Sequence, residues 1–130
     1  MITGGNATIF VSNMDAAVQF YTGVLGFAVR ARDRIARPGS DQALNLVYLD
    51  LGGTTVELIA FEGVAVKPEP EKEHLGYRLM ALEVEDMKEA LAYLQTKGVE
   101  AVWGPMFRDT YARAEICDPH GYRIELRHWL

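Results

Sequence analysis

The stretch DPHGYRIELRH, residues 118–128, lies over DLGGTTVELIA, residues 50–60, so that Gly53 meets Gly121, Val56 meets Ile124, Glu57 meets Glu125 and Leu58 meets Leu126. Each copy is a glycine-bearing turn followed by a run in which polar and apolar residues alternate, the period-two pattern of a β-strand. In the second copy Arg123, Glu125 and Arg127 take one face, and Ile124, Leu126 and His128 take the other. A second correspondence runs in the same order along the chain. IFVSNMDAAVQFY, residues 9–21, lies over LEVEDMKEALAYL, residues 82–94, and both read as strand, polar cap, methionine and apolar helical stripe. Two matches in one order point to an internal duplication.

The helix signals fit that unit. In the first copy Asn13 is the expected N-cap, with Ala17, Val18, Tyr21 and Leu25 as the buried stripe and Gly26 ending the helix. In the second, Asp86 caps, Glu89 completes a capping box, Met87, Ala90, Leu91 and Leu94 make the stripe, and Gly98 ends it. FAVRAR and ALNLVYLD supply further strands to the first half, VEAVWG and YARAEIC to the second. The unit is therefore βαβββ written twice, an α+β fold. Module 1 covers about residues 4–61, EGVAVKPEPEKEHLG at 62–76 is the linker, and module 2 covers 77–130, the whole of 1–130 forming one domain. With a helix on one side of each curved mixed sheet, the other side is expected to form a cup. Strand parity turns Asn6, Thr8 and Phe10 inward in the first half and Leu79, Ala81 and Glu83 inward in the second.

The chain has 130 residues, 49% of them hydrophobic, which is ample for a core. It has no apolar run of transmembrane length, and MITGGNATIF lacks the basic and apolar regions of a signal peptide, so a soluble cytoplasmic protein with no membrane partner is expected. The lone Cys117 suits a reducing compartment. A net charge of −5 argues against nucleic acid and is compatible with a cationic or neutral small ligand. The charge is unevenly spread: Arg30, Arg32, Arg34 and Arg37 crowd RARDRIARPGS, which reads as a basic loop, while PEPEKE at 68–73 is acidic.

VSNMDAAVQFYTGVLGF, with its FY-x3-LGF, LEVEDMKEALAYLQTKGVE and DPHGYRIELRHW, with its DP-x-G-x-x-IEL, together resemble the vicinal oxygen chelate superfamily of glyoxalase I, bleomycin resistance proteins, extradiol dioxygenases and fosfomycin resistance enzymes. The resemblance covers nearly the whole chain and implies paired βαβββ modules forming a cup, completed as a homodimer. It is specific for the superfamily and unspecific for activity.

Metal-dependent members hold a divalent ion with histidine on the first strand and glutamate on the last strand of each module. Carried over, the glutamates are Glu57 and Glu125, and the histidine positions hold Asn6 and Leu79. Leucine has no donor atom, and an amide oxygen is a feeble replacement for imidazole. No cofactor is expected, although two carboxylates and an amide could hold Mg²⁺ or Ca²⁺ weakly, with Glu57 and Glu125 as the ligands if any. His74, His120 and His128 lack ligand spacing with the glutamates, and Cys117 reads as structural.

Without a metal, the glutamates either join an ion network with Arg123 and Arg127 or meet a ligand. Asn6, Phe10, Glu57, Leu79, Trp103, Arg123 and Glu125 are the candidate ligand-binding residues. Glu125 is the candidate catalytic base beside an arginine that would steady an oxyanion. Trp103 and Phe107 are placed at a connection between strands. Three readings stay open: a metal-independent small-molecule binder of the bleomycin resistance type, a glyoxalase-type lyase or isomerase using Glu57 and Glu125, and a non-catalytic dimerisation or regulatory module. Whether the protein is an enzyme is not decided by its sequence.

Overall fold

Alternation and capping act locally as expected in the computed structural model, which describes residues 1–37, 39–63, 65–67 and 74–130. The PEPEKE stretch and part of the linker fall outside the described residues. The chain divides into two compact units, Met1–Pro68 and Glu69–Leu130.

The first unit runs β1 (Ala7–Phe10), α1 (Met14–Gly23), β2 (Ala28–Ala36), β3 (Ala43–Leu51) and β4 (Thr54–Phe61). Its sheet has the order β1-β4-β3-β2, with β1 parallel to β4 and the other pairs antiparallel, so it is mixed. The second unit repeats this as β5 (Met80–Glu83), α2 (Met87–Thr96), β6 (Trp103–Phe107), β7 (Tyr111–Cys117) and β8 (Arg123–Trp129), in the order β5-β8-β7-β6. Each unit is the βαβββ module expected from the duplication.

Both helices start at the expected caps. The Asn13 side chain accepts the Ala16 N–H and the Asp86 carboxylate accepts the Glu89 N–H, which satisfies donors left free in a first helical turn. The helix α1 buries Ala17, Phe20 and Tyr21, and α2 buries Met87 and Leu94. Phe20 joins the first stripe in place of Val18 and Leu25, its ring set edge-on to Tyr21, which in turn meets Phe27. Beneath α1 lie Val47 and Leu49 of β3 and Val56, Leu58 and Ala60 of β4; the sheet under α2 buries Ala112, Ala114, Ile116, Ile124 and Leu126. His128 shares the parity of Ile124, and its Nδ1 accepts the Met87 N–H at the start of α2, so this face of β8 is the helix face.

The strands expected in FAVRAR and VEAVWG extend into, or are shifted onto, stretches read as connections. Residues 30–36 of the basic stretch lie in β2, where Arg32 and Arg34 alternate with Asp33 and Ile35. All nine β2 residues are exposed, and a strand that ends a sheet tolerates such charge. Trp103 and Phe107 are the two ends of β6, not a connection. The pairing of β6 with β7 is irregular between Trp103 and Met106, and Gly104 sits there at φ +77°. A Cβ on Gly104 would come within 2.8 Å of the Arg113 carbonyl oxygen, so glycine is required for β6 to lie this close to β7.

Candidate functional site

Register fixes which side chains share the face of the second sheet turned away from α2. Glu115 on β7 stands directly opposite Glu125 on β8, Arg113 opposite Arg127, Tyr111 opposite Trp129, and Cys117 opposite Arg123. The β6 strand adds Trp103 beside Glu115 and Met106 beside Arg113, and β5 adds Ala81 beside Glu125 and Glu83 beside Arg127. Two carboxylates face to face on neighbouring strands repel each other. Here they are also buried, with Glu115 3% and Glu125 4% exposed, so their charges demand partners.

Arginines supply them. Arg113 Nε donates to Glu125 Oε1, and its Nη2 lies 3.9 Å from Glu115 Oε2, so one guanidinium bridges both acids. Arg127 Nη2 is 3.0 Å from Glu125 Oε2. Arg123 Nη1 is 3.2 Å from Glu115 Oε1, and Arg78 Nη2 is 3.5 Å from Glu115 Oε2. Both oxygens of each carboxylate are thereby engaged by guanidinium groups. Aromatic rings brace the arginines from outside: Arg113 lies 5.3 Å from the Trp103 ring centre, and Arg127 lies 4.9 Å from that of Trp129 and 5.6 Å from that of Tyr111. The Trp129 indole N–H donates to Glu83 Oε1 at 3.1 Å.

The equivalent face of the first sheet has a different chemistry. Thr8 and Tyr48 flank Glu57 in register. The Thr8 hydroxyl donates to Glu57 Oε1 at 2.8 Å and is itself approached by Asn6 Nδ2 at 3.1 Å. Hydrogen bonding to Glu57 and burial raise the Tyr48 phenol above its ordinary value. Arg30 lies over the Tyr48 ring at 5.4 Å and reaches Asp50 at 3.4 Å. Phe10 stacks 5.2 Å from Phe61, whose ring also carries Arg37. Glu57 is thus held by hydroxyl groups and Glu125 by guanidinium groups.

Among the candidate residues, one face of the first unit brings together Asn6, Phe10 and Glu57, and one face of the second unit brings together Trp103, Arg123 and Glu125. Leu79 immediately precedes β5, one step before Met80. Reasoning from sequence missed Arg113, Glu115 and Tyr48. The signal for the first two was present in YARAEIC, where Ala112, Ala114 and Ile116 alternate with Arg113 and Glu115, once β7 was paired with β8.

A family model for the Glyoxalase/Bleomycin resistance protein/Dioxygenase superfamily matches residues 5–126. The chain belongs to that superfamily. Solved members share the fold across nearly the full length. A glyoxalase family protein from Bacillus cereus is 22% identical at a TM-score of 0.83, with 100% of this chain and 95% of that chain covered. One from Enterococcus faecalis is 28% identical at 0.75, covering 95% and 94%. The trypanothione-dependent glyoxalase I of Leishmania major is 27% identical at 0.72, covering 95% and 84%. No curated protein sequence matches the chain.

The superfamily's metal-dependent members need a donor set that these residues do not provide. Leu79 carries no ligand atom, Asn6 offers only an amide, and both oxygens of Glu125 already face guanidinium groups. Among the described residues no group of three or more His, Cys, Asp and Glu could hold a metal ion. Nor is any described helix long and apolar enough to cross a membrane.

Proposed function

We propose that this superfamily member binds a small molecule on the face of its second sheet that carries Arg113, Arg123, Arg127, Trp103 and Trp129, and does so without a transition metal. The observation carrying this reading is the engagement of both Glu125 oxygens by Arg113 and Arg127. A carboxylate in that state is compensated already, and a divalent ion would have to displace two guanidinium groups to reach it. The same arginines are held in place by buried acids on one side and aromatic rings on the other, a preorganised donor surface of the kind small-molecule sites use. A general-base role for Glu125 is disfavoured by the same contacts, because both of its oxygens already face guanidinium groups and neither is open to a substrate proton.

Metal content measured by mass spectrometry on untagged protein, with melting scans in Ni²⁺, Zn²⁺, Mn²⁺ and Mg²⁺, tests the metal-free part. The expected result is metal far below one ion per chain and unshifted melting. Near-stoichiometric metal, or a selective rise in Tm with one ion, would overturn it. Binding is tested by a melting screen against small aromatic acids, amines and neutral compounds, in which at least one class should stabilise the protein.

A further inference from the structure

Resting on that reading of the second sheet, we infer that its ligand is an aromatic anion: a flat ring bearing a carboxylate or comparable oxyanion. The protein as a whole carries −5, yet what this face presents is positive. Glu115 and Glu125 lie beneath the surface, while the four arginine side chains around them are 26–65% exposed. The remaining acid on the face, Glu83, is tied to the Trp129 indole. An arriving molecule therefore meets guanidinium groups first.

The donors are also under-used. Arg127 Nη2 serves Glu125, but Arg127 Nε is enclosed and has no hydrogen-bond acceptor. An enclosed N–H without an acceptor is uncommon, and a ligand oxygen reaches this one only if a neighbouring side chain moves aside. Arg123 is bound to Glu115 through Nη1, which leaves further donors of its fork for a carboxylate. Trp103 and Trp129 are both exposed and already stack on arginine, so a ring laid beside them extends an existing guanidinium–aromatic arrangement. An aromatic cation would gain the same stacking but meet like charge, and an aliphatic anion would forgo the rings.

The chain has only two tryptophans, and both stand on this face, so tryptophan fluorescence, excited beyond the tyrosine band, reports on it. Full-length protein is titrated with 2-naphthoate, 2-naphthamide and 2-naphthylmethylammonium, following tryptophan quenching with dialysis as a control. The expected order puts naphthoate at least about tenfold tighter than the amide, with the advantage shrinking at high salt. Arg123→Gln should remove most of that advantage, and Arg123→Lys should restore part of it. Equal or tighter binding of the amide or the ammonium compound would overturn the ligand class while leaving small-molecule binding intact. No binding of any of the three would overturn both.

Discussion

Replacing Arg113 with alanine leaves two carboxylates facing each other across β7 and β8 with their bridging cation gone. Glu115 and Glu125 are 3% and 4% exposed, so water cannot take the place of the lost partner. Removing one partner of a buried ion pair costs about 3 to 5 kcal/mol when the remaining charge is left alone. Here it is not alone, since Arg127 stays 3.0 Å from Glu125 and Arg123 stays 3.2 Å from Glu115. Arg113 itself is 26% exposed, so part of its interaction is screened. Together these reduce the expected loss to about 2 to 3 kcal/mol, or a fall in Tm of roughly 8 to 12 °C for a chain of this size. Calorimetric melting of the parent, Arg113→Ala, Glu125→Gln and the double variant completes a cycle. Neutralising Glu125 removes much of the repulsion, so the double variant should be more stable than the sum of the singles by at least about 1 kcal/mol. A melting point for Arg113→Ala within about 2 °C of the parent, or additive costs, would refute the bridging role.

Further outcomes follow from other parts of the molecule. Tyr48 is held above the ordinary phenol value of 10.0 by its hydrogen bond to Glu57 and by burial, so its contribution to stability is complete below pH 10.0 and is lost as pH rises through the folded value. Tyr48→Phe should flatten the alkaline limb of the stability curve, and an unchanged limb would remove Tyr48 as its source. Hydrogen bonds from Arg34 and Asn45 hold the Glu62 carboxyl below the ordinary carboxyl value of 4.5, so that contribution is present above pH 4.5 and is lost as pH falls through the lowered value. Arg34→Gln should therefore reduce stability at neutral pH and leave it nearly unchanged in strong acid, as read by denaturant midpoints. Gly104→Ala places a methyl group 2.8 Å from the Arg113 carbonyl at a φ of +77°, and should lower Tm and disturb the Trp103 emission maximum; wild-type values for both would show that β6 can move away. Assembly as a homodimer is also proposed, supported by β2, which ends its sheet with Val29 and Ile35 exposed; sedimentation equilibrium should give the mass of two chains, and a monomer would refute it.

The repeat made the fold legible because it records register. Once residues 50–60 were laid on 118–128, the parity of Glu57 and Glu125 fixed the faces of β4 and β8, and the helix caps at Asn13 and Asp86 fixed where each crossover begins. Side-chain chemistry that depends on a neighbouring strand was less accessible. Arg123 and Arg127 were visible as neighbours of Glu125 within one strand, but Arg113, which makes the central contact, comes from ten residues or more away in the turn-connected β7. Charge density misled in the second half of β2, where the arginine-rich run beyond FAVRAR suggested a loop although its period of two continues the strand. Trp103 was misplaced because a Gly-Pro pair reads as a turn, whereas here it sits in an irregular stretch of an outer strand.

Each module carries a glutamate on its last strand, and the surroundings of the two differ. Next to Glu57 stand Thr8 and Tyr48, which offer neutral hydroxyl groups; next to Glu125 stand Ala81 and Glu115, which offer no donor and a second negative charge. A second acid at that point must be offset by cations from the chain or from solution. Arg113, Arg123, Arg127 and Arg78 provide them from within. That is why the exposed face is positive in a protein of net charge −5, and why altering a single arginine is expected to change ligand preference where altering the overall charge would not.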